Sequence, residues 1–334
     1  MQPPGISIVV CTHNGAARLR PTIQHLKRQR ANFDWEVIIV DNASTDLSGE
    51  RARQLWNEGP APLRVIVEPK LGEWHARVRG LQEARYEIIG FVDDDNWVAP
   101  DWLEQLAKIM SADPTIGACG SMLVPAFEIN APDWFERYQV YYGILNSAQA
   151  ARAPICLCAA GMGLRASAWQ NLVSNGFRGH LTGRVGQQLW GGSDTELCFA
   201  LKLAGWELVV DDRLKVQHYL PRERLTWSYL RKLVAGSAYA VAALDGYYFA
   251  WQKADLLHES WIWALASGTK QLLVNHKLST ILTSRLHSVE GDDEVILVDM
   301  QLARLKSLLC LRRRYTEIRR EVREAAWRKR ERLL

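Results

Sequence analysis

Neither of the two common glycine-rich phosphate loops occurs where this chain would need it. No GxGxxG follows the first apolar strand and no GxxxxGK(S/T) occurs anywhere, so the loops that hold dinucleotides and hydrolysable NTPs are unsupported. The six cysteines are scattered through apolar contexts without a disulfide framework, and Cys156-x-Cys158 is too short for a zinc knuckle. The opening MQPPGISIVV has neither a basic leader nor a cleavage site. The expectation is therefore no signal peptide and a reducing, cytoplasmic setting. Apolar runs such as LVAGSAYAVAAL and SWIWALASGT are interrupted by charge before the ~18 residues a bilayer crossing requires. No sign of charge is in large excess either, the balance being +4 over 334 residues. That balance is uneven, because residues 304–334 hold twelve Lys/Arg against four Glu. The basic character belongs to the tail, and no nucleic-acid module accompanies it, so nucleic acid is not an expected partner.

What is present is an ordinary globular composition, 48% hydrophobic and 23% charged, long enough for one large α/β domain with an extension. ISIVVCT (6–12) and WEVIIVDNAS (35–44) read as buried parallel strands, being continuous and rich in β-branched residues. Between and after them, 19–30, 48–56 and 74–84 read as helices, with 63–68 as a short strand. Strand and helix alternate through about the first hundred residues, the pattern of a doubly wound, mostly parallel sheet. In such sheets ligands sit outside the carboxyl ends of the strands, where Thr12, Asp41 and Asp93 to Asp95 fall.

The run EIIGFVDDDNW carries the sharpest chemical signal. Two like charges about 5 Å apart at an effective dielectric of about 20 repel by roughly 3 kcal/mol. Asp93, Asp94 and Asp95 beside an apolar strand therefore call for a positive partner, and Mg2+ or Mn2+ shared with substrate phosphates is the economical one. A solvated acidic turn before the next helix is the plainer alternative.

SIVVCTHNGAARL, EVIIVDNASTD, HARVRGLQEARYEIIGFVDDDNW and WGGSDTELCFALKLAGW resemble, in order and spacing, the motifs of family 2 glycosyltransferases. The resemblance covers about residues 6–229 and implies the GT-A fold, a nucleotide-sugar donor (UDP- or GDP-linked), a divalent cation and, for most members, inversion at the anomeric centre. It implies that Thr12, His13 and Asn14 touch the nucleobase and ribose, with His13 standing where Tyr is more usual. Asp41 corresponds to the carboxylate that accepts from the base, and Arg77 to an arginine near the phosphates. Asp93 and Asp95 correspond to the DxD pair, with Asp94 between them near the ribose and Asp95 on the metal. Asp194 corresponds to the base that activates the acceptor hydroxyl, with Ser193 in place of the usual Glu. SDTEL also reads as a helix capping box. His218 lies where relatives place a late histidine near metal and phosphate. Gly161, Met162, Trp134, Trp190, Arg222 and Arg224 are candidates for the donor or acceptor sugar, though such aromatics also fill cores.

The expected organisation is a catalytic domain over 1–229 and a helical, aromatic- and basic-rich region over 230–334. Trp261-Ile262-Trp263, the apolar stretch 235–244 and a basic helix over 304–332 suggest a monotopic contact with an anionic membrane, on the inner face of the plasma membrane. A helical cap or a homo-oligomer contact is the alternative. The acceptor is then a cell-surface glycan or a lipid-linked one. A nucleotidyltransferase of similar layout, or an inactive sugar-binding scaffold, are the competing classes.

Overall fold

The computed structural model describes residues 5–145, 156–185, 189–253, 260–286 and 289–329. Strands β1 (Ile6–Thr12), β2 (Trp35–Asp41), β3 (Leu63–Val67) and β4 (Ile88–Phe91) run parallel, with β1 central and paired to β2 and β4. Helices α1 (Leu19–Lys27), α2 (Ser48–Trp56) and α3 (Glu73–Glu83) connect them. Covered on both faces, β1 and β2 bury nearly every side chain, which is why their sequences are continuous rather than alternating. Pro21 sits in the first turn of α1, where its missing N–H costs nothing, and the helix ends at Lys27 rather than Arg30. Gly80 of α3 lies flush on β1, where a Cβ would stand 2.3 Å from Val9.

The second half of the sheet is mixed. Strands β5 (Asn96–Val98), β6 (Ile116–Phe127), β7 (Gly163–Arg165) and β8 (Glu207–Leu220) complete the order β3-β2-β1-β4-β7-β6-β8-β5. β7 is antiparallel to β4 and β6, and β5 is antiparallel to β8. Helix α4 (Trp102–Ala112), the short α5 (Phe135–Tyr138), α6 (Ala166–Ser174) and α7 (Ser193–Leu203) accompany them. The C-terminal region is helical: α8 (Trp227–Trp251), α9 (Trp261–Asn275), α10 (Leu278–Leu286), α11 (Asp293–Leu311) and α12 (Arg313–Glu324). It shares the core of the sheet. Leu230, Val234, Val295 and Ile296 belong to the same hydrophobic cluster as residues of β1 and α1, while Tyr247, Ile318, Val322 and Trp327 belong to the cluster that contains Val9 and Ile38. Two expectations are corrected here. The stretch 235–244 is largely buried inside the bundle instead of forming a surface wedge. The basic tail is two helices broken at Arg312, with residues 330–334 outside the described part.

Candidate active site

The carboxyl ends of β1 and β4 open into a cleft of about 730 Å³, walled on its far side by α7 and α8. At its floor the acidic triplet is tied down from several directions. Thr22 donates its hydroxyl to the Asp94 carbonyl, Tyr219 donates its N–H to the Asp95 carbonyl, and Asn96 donates its amide to Asp95 Oδ1 at 3.2 Å. The Asp94 carboxylate is already engaged at both oxygens. It accepts from the Thr12 hydroxyl at 2.7 Å and from Arg18 through both oxygens at 2.9 and 3.1 Å. Asp95 Oδ2 accepts from Arg224 Nη1 at 2.7 Å, and His218 Nε2 lies 3.9 Å from Asp95 Oδ1. Arg77, buried beneath the cleft, pairs with Glu73 one helical turn earlier and stands 3.8 Å from Asp93.

These environments divide the three charges unequally. Burial opposes ionisation of Asp95, but Arg224, His218 and Arg184 outweigh it and hold the carboxyl below the usual carboxylate range. Burial lifts Asp94, and the neighbouring Asp95 adds to this, against Arg18 and Thr12. At Asp93 burial, then Glu73 and Asp95, outweigh Arg77 and push the carboxyl up to about 7. Burial, with Arg224 and Arg184, also lowers the His218 imidazole against the opposing pull of Asp95. Its Nδ1 donates to the Tyr142 carbonyl at 3.1 Å, so Nε2 turns a lone pair toward Asp95.

A divalent ion fits this donor set. Ligands at ~2.1 Å from one ion lie about 3–4 Å apart, the spacing of Asp95 Oδ1 and His218 Nε2. No group of three or more His, Cys, Asp or Glu suited to a metal occurs among the described residues, so an ion held by this pair would need phosphate oxygens and water to complete its shell. Asp194, in the first turn of α7, lines the opposite side of the cleft with its Oδ1 accepting from Thr195 N and Oδ2 from Ala159 N. It is not a helix cap: Gly192, at φ +97°, holds that position.

Residues 7–172 match the family described as Glycosyl transferase family 2. The chain belongs to glycosyltransferase family 2. Among curated proteins it is similar to a putative glycosyltransferase, EpsH, of Bacillus subtilis, at 29% identity over 36% of this chain and 34% of that one. It is also similar to a chondroitin synthase of Escherichia coli, at 28% identity over 35% of this chain and 17% of that one. These matches span about a third or less of the relatives' length. Among solved structures, a mannosyltransferase from Pyrobaculum calidifontis, in complex with GDP-Man and Mn2+, superposes with a TM-score of 0.57. It is 17% identical and covers 92% of this chain and 86% of that one, a likeness of fold. The architecture is the GT-A fold.

The glycosyltransferase brings Thr12, His13, Arg77, Asp93, Asp94, Asp95, Asp194, His218 and Arg224 to one cleft. Other expected site residues lie elsewhere. Asp41 sits behind the cleft wall, accepting from Ser44 N and Gly49 N, and its neighbour Asn42 faces the cavity instead. Asn14 is exposed at the rim and binds Thr45. Met162 is core, and Gly161, at φ +74°, turns the chain into β7. Trp134 is corrected to a core residue: it packs edge-on against Trp227 and donates to Glu290. Trp190 stacks on Tyr239 at 4.5 Å, and the backbone of Arg222 is held by Glu128. Sequence reading missed Arg18, Glu73 and Arg184, which line the cavity without belonging to a quoted motif role.

Proposed function

We propose that this glycosyltransferase moves a sugar from a nucleoside-diphosphate donor to an acceptor hydroxyl with inversion, dependent on Mn2+ or Mg2+. The observation that carries the reading is the convergence of Asp95, His218 and Asp194 on one cleft that also holds four arginines. Thr12 and His13 take the nucleoside, a reading supported by the His13 ring being held at the Asn42 carbonyl, 2.7 Å away. Asp41 acts from behind, ordering the loop that carries this wall. Arg77 and Arg184 face the diphosphate, both kept charged because carboxylate neighbours, Glu73 foremost, outweigh burial. Asp95 and His218 would hold the ion, which when bound neutralises charge developing on the leaving diphosphate. Asp194 takes the proton from the acceptor hydroxyl, on the face of the sugar away from the leaving group. The similar mannosyltransferase in complex with GDP-Man and Mn2+ supports this donor and cofactor chemistry.

The acceptor reading is a cell-surface glycan or its lipid-linked form, supported by the similarity to a chondroitin synthase and by apolar Leu233, Val241 and Leu244 on the α8 wall. Work at the cytoplasmic face of the membrane, with α9 and α10 against lipid, accompanies it. The deciding experiment is Asp194→Asn. Donor-induced thermal stabilisation should persist while transfer falls by about 10²–10⁴-fold, the usual worth of a general base. Transfer within a few-fold of wild type would remove Asp194 from the chemistry.

A further inference from the structure

The cation place on Asp95 is taken by a side chain. One nitrogen of Arg224, Nη1, lies 2.7 Å from Asp95 Oδ2 and 3.4 Å from His218 Nε2, the two groups that fit a divalent ion. Those two groups are fixed independently of it, Asp95 by Asn96 and His218 by the Tyr142 carbonyl. The backbone of Arg224 is equally fixed: it lies in the 3-10 turn Arg222–Leu225, and the Tyr142 hydroxyl donates to its carbonyl at 2.8 Å. The guanidinium is the part left to move, since its side chain keeps 19% of its surface exposed into the cleft.

We propose that Arg224 is a built-in counter-ion that closes the Asp95–His218 pair until a nucleoside diphosphate draws its guanidinium away, so that the divalent ion enters with the donor and not before it. This rests on the metal-dependent reading above. Five carboxylates and four arginines line the cavity, so it is close to neutral as it stands. A divalent ion alone would have to break a charge-assisted hydrogen bond and would leave the lining short of negative charge, five negative charges against six positive. A diphosphate supplies that negative charge and offers the planar guanidinium a two-pronged partner in exchange for Asp95.

The test is Mn2+ binding to the full chain without nucleotide, followed by the electron paramagnetic resonance of free Mn2+, for wild type, Arg224→Gln and Arg224→Lys. Arg224→Gln should bind Mn2+ at least tenfold more tightly than wild type, with Arg224→Lys between them. Adding UDP or GDP should tighten Mn2+ binding strongly in wild type and much less in Arg224→Gln. In EDTA the Gln variant should bind the same diphosphate more weakly, because the displaced guanidinium is gone. Asp95→Asn marks the site and should weaken Mn2+ binding in every background. If wild type binds Mn2+ with nucleotide while Arg224→Gln leaves nucleotide-free affinity within twofold or lowers it, the counter-ion role fails and the metal reading stands. If no variant binds Mn2+ even with UDP or GDP, the metal reading fails and takes the proposal with it.

Discussion

Glu196 shows how one buried carboxylate can place a cleft residue it never touches. Almost fully buried, it accepts from His180 N, Leu181 N and the Tyr247 hydroxyl at 2.8–2.9 Å. It thereby joins α7 and α8 to the loop that delivers Arg184, whose carbonyl accepts from Glu73 N at 3.0 Å. Burial nevertheless outweighs the three donors and pushes the Glu196 carboxyl up to about 7. With a folded value above the ordinary ~4.3, its contribution is fully present below that value and lost as pH rises through 7. Glu196→Gln turns an amide nitrogen, which cannot accept, toward a backbone N–H, a cost of about 1–3 kcal/mol. Denaturation midpoints should therefore show a larger deficit for Glu196→Gln at pH 5 than at pH 8. A deficit that grows with pH would reverse the assignment. Residues of this kind were hard to read from sequence. Glu196 was legible only as the end of a capping box, whereas its partners lie fifteen and fifty-one positions away. Arg18, Glu73 and Arg184 are single charges without motif spacing, so only the fold reveals that they share a cavity with the acidic triplet.

At the level of elements, the glycines of WGGSD matter for the packing of a loop against a helix. Leu189 to Gly192 lies directly on α8. A Cβ at Gly236 would stand 2.0 Å from the Leu189 carbonyl oxygen, and one at Gly192 2.8 Å from Ala240 Cβ. Gly236→Ala must therefore push the segment that leads into α7 and carries Asp194. Overpacking of this kind costs about 1–3 kcal/mol. The expected signature is a lowered kcat with nucleoside-diphosphate affinity nearly unchanged, measured beside Gly176→Ala. Gly176 has open space around it, so its substitution meets only the strain of φ +87° and should leave kcat intact. Equal kcat for both variants would mean that the α8 contact does not position Asp194. The parallel half of the sheet was legible because strands covered on both faces must be continuously apolar, and β1, β2 and α2 fall within a few residues of expectation. The mixed half was legible only in part. β5 and β7 are three residues long, too short for a period, whereas β8 shows in the sequence as a strand ending near His218, though its partly buried positions do not reveal its partners.

For the whole molecule, the C-terminal helices decide which apolar and basic groups face outward. Part of the basic tail is committed to packing: Arg304 pairs with Asp245 at 2.7 Å, and buried Arg319 lies over the Phe249 ring, while Lys306, Arg312, Arg313, Arg314, Arg320 and Lys329 are exposed. Ile318, Val322 and Trp327 belong to the core that covers the sheet, so truncation after Leu302 would unsettle the fold itself. No helix of the described residues is long and apolar enough to cross a membrane. What faces outward is an apolar strip on α9 and α10, with Ile262, Leu273, Val274, Leu278 and Leu282 all more than half exposed and Lys270 and Lys277 beside it. Two lysines near an anionic surface contribute about 2 kcal/mol, roughly thirtyfold in partitioning, and salt screens that part alone. The chain should sediment with anionic liposomes at low salt, and high salt should release only part of it. Paired Ile262→Glu and Val274→Glu substitutions should abolish sedimentation while leaving donor-induced thermal stabilisation unchanged, since neither residue lines the cleft. If wild type stays in the supernatant at low salt, α9 and α10 are not a membrane face. If instead the double variant sediments as wild type does, the lipid contact lies on another surface of the bundle.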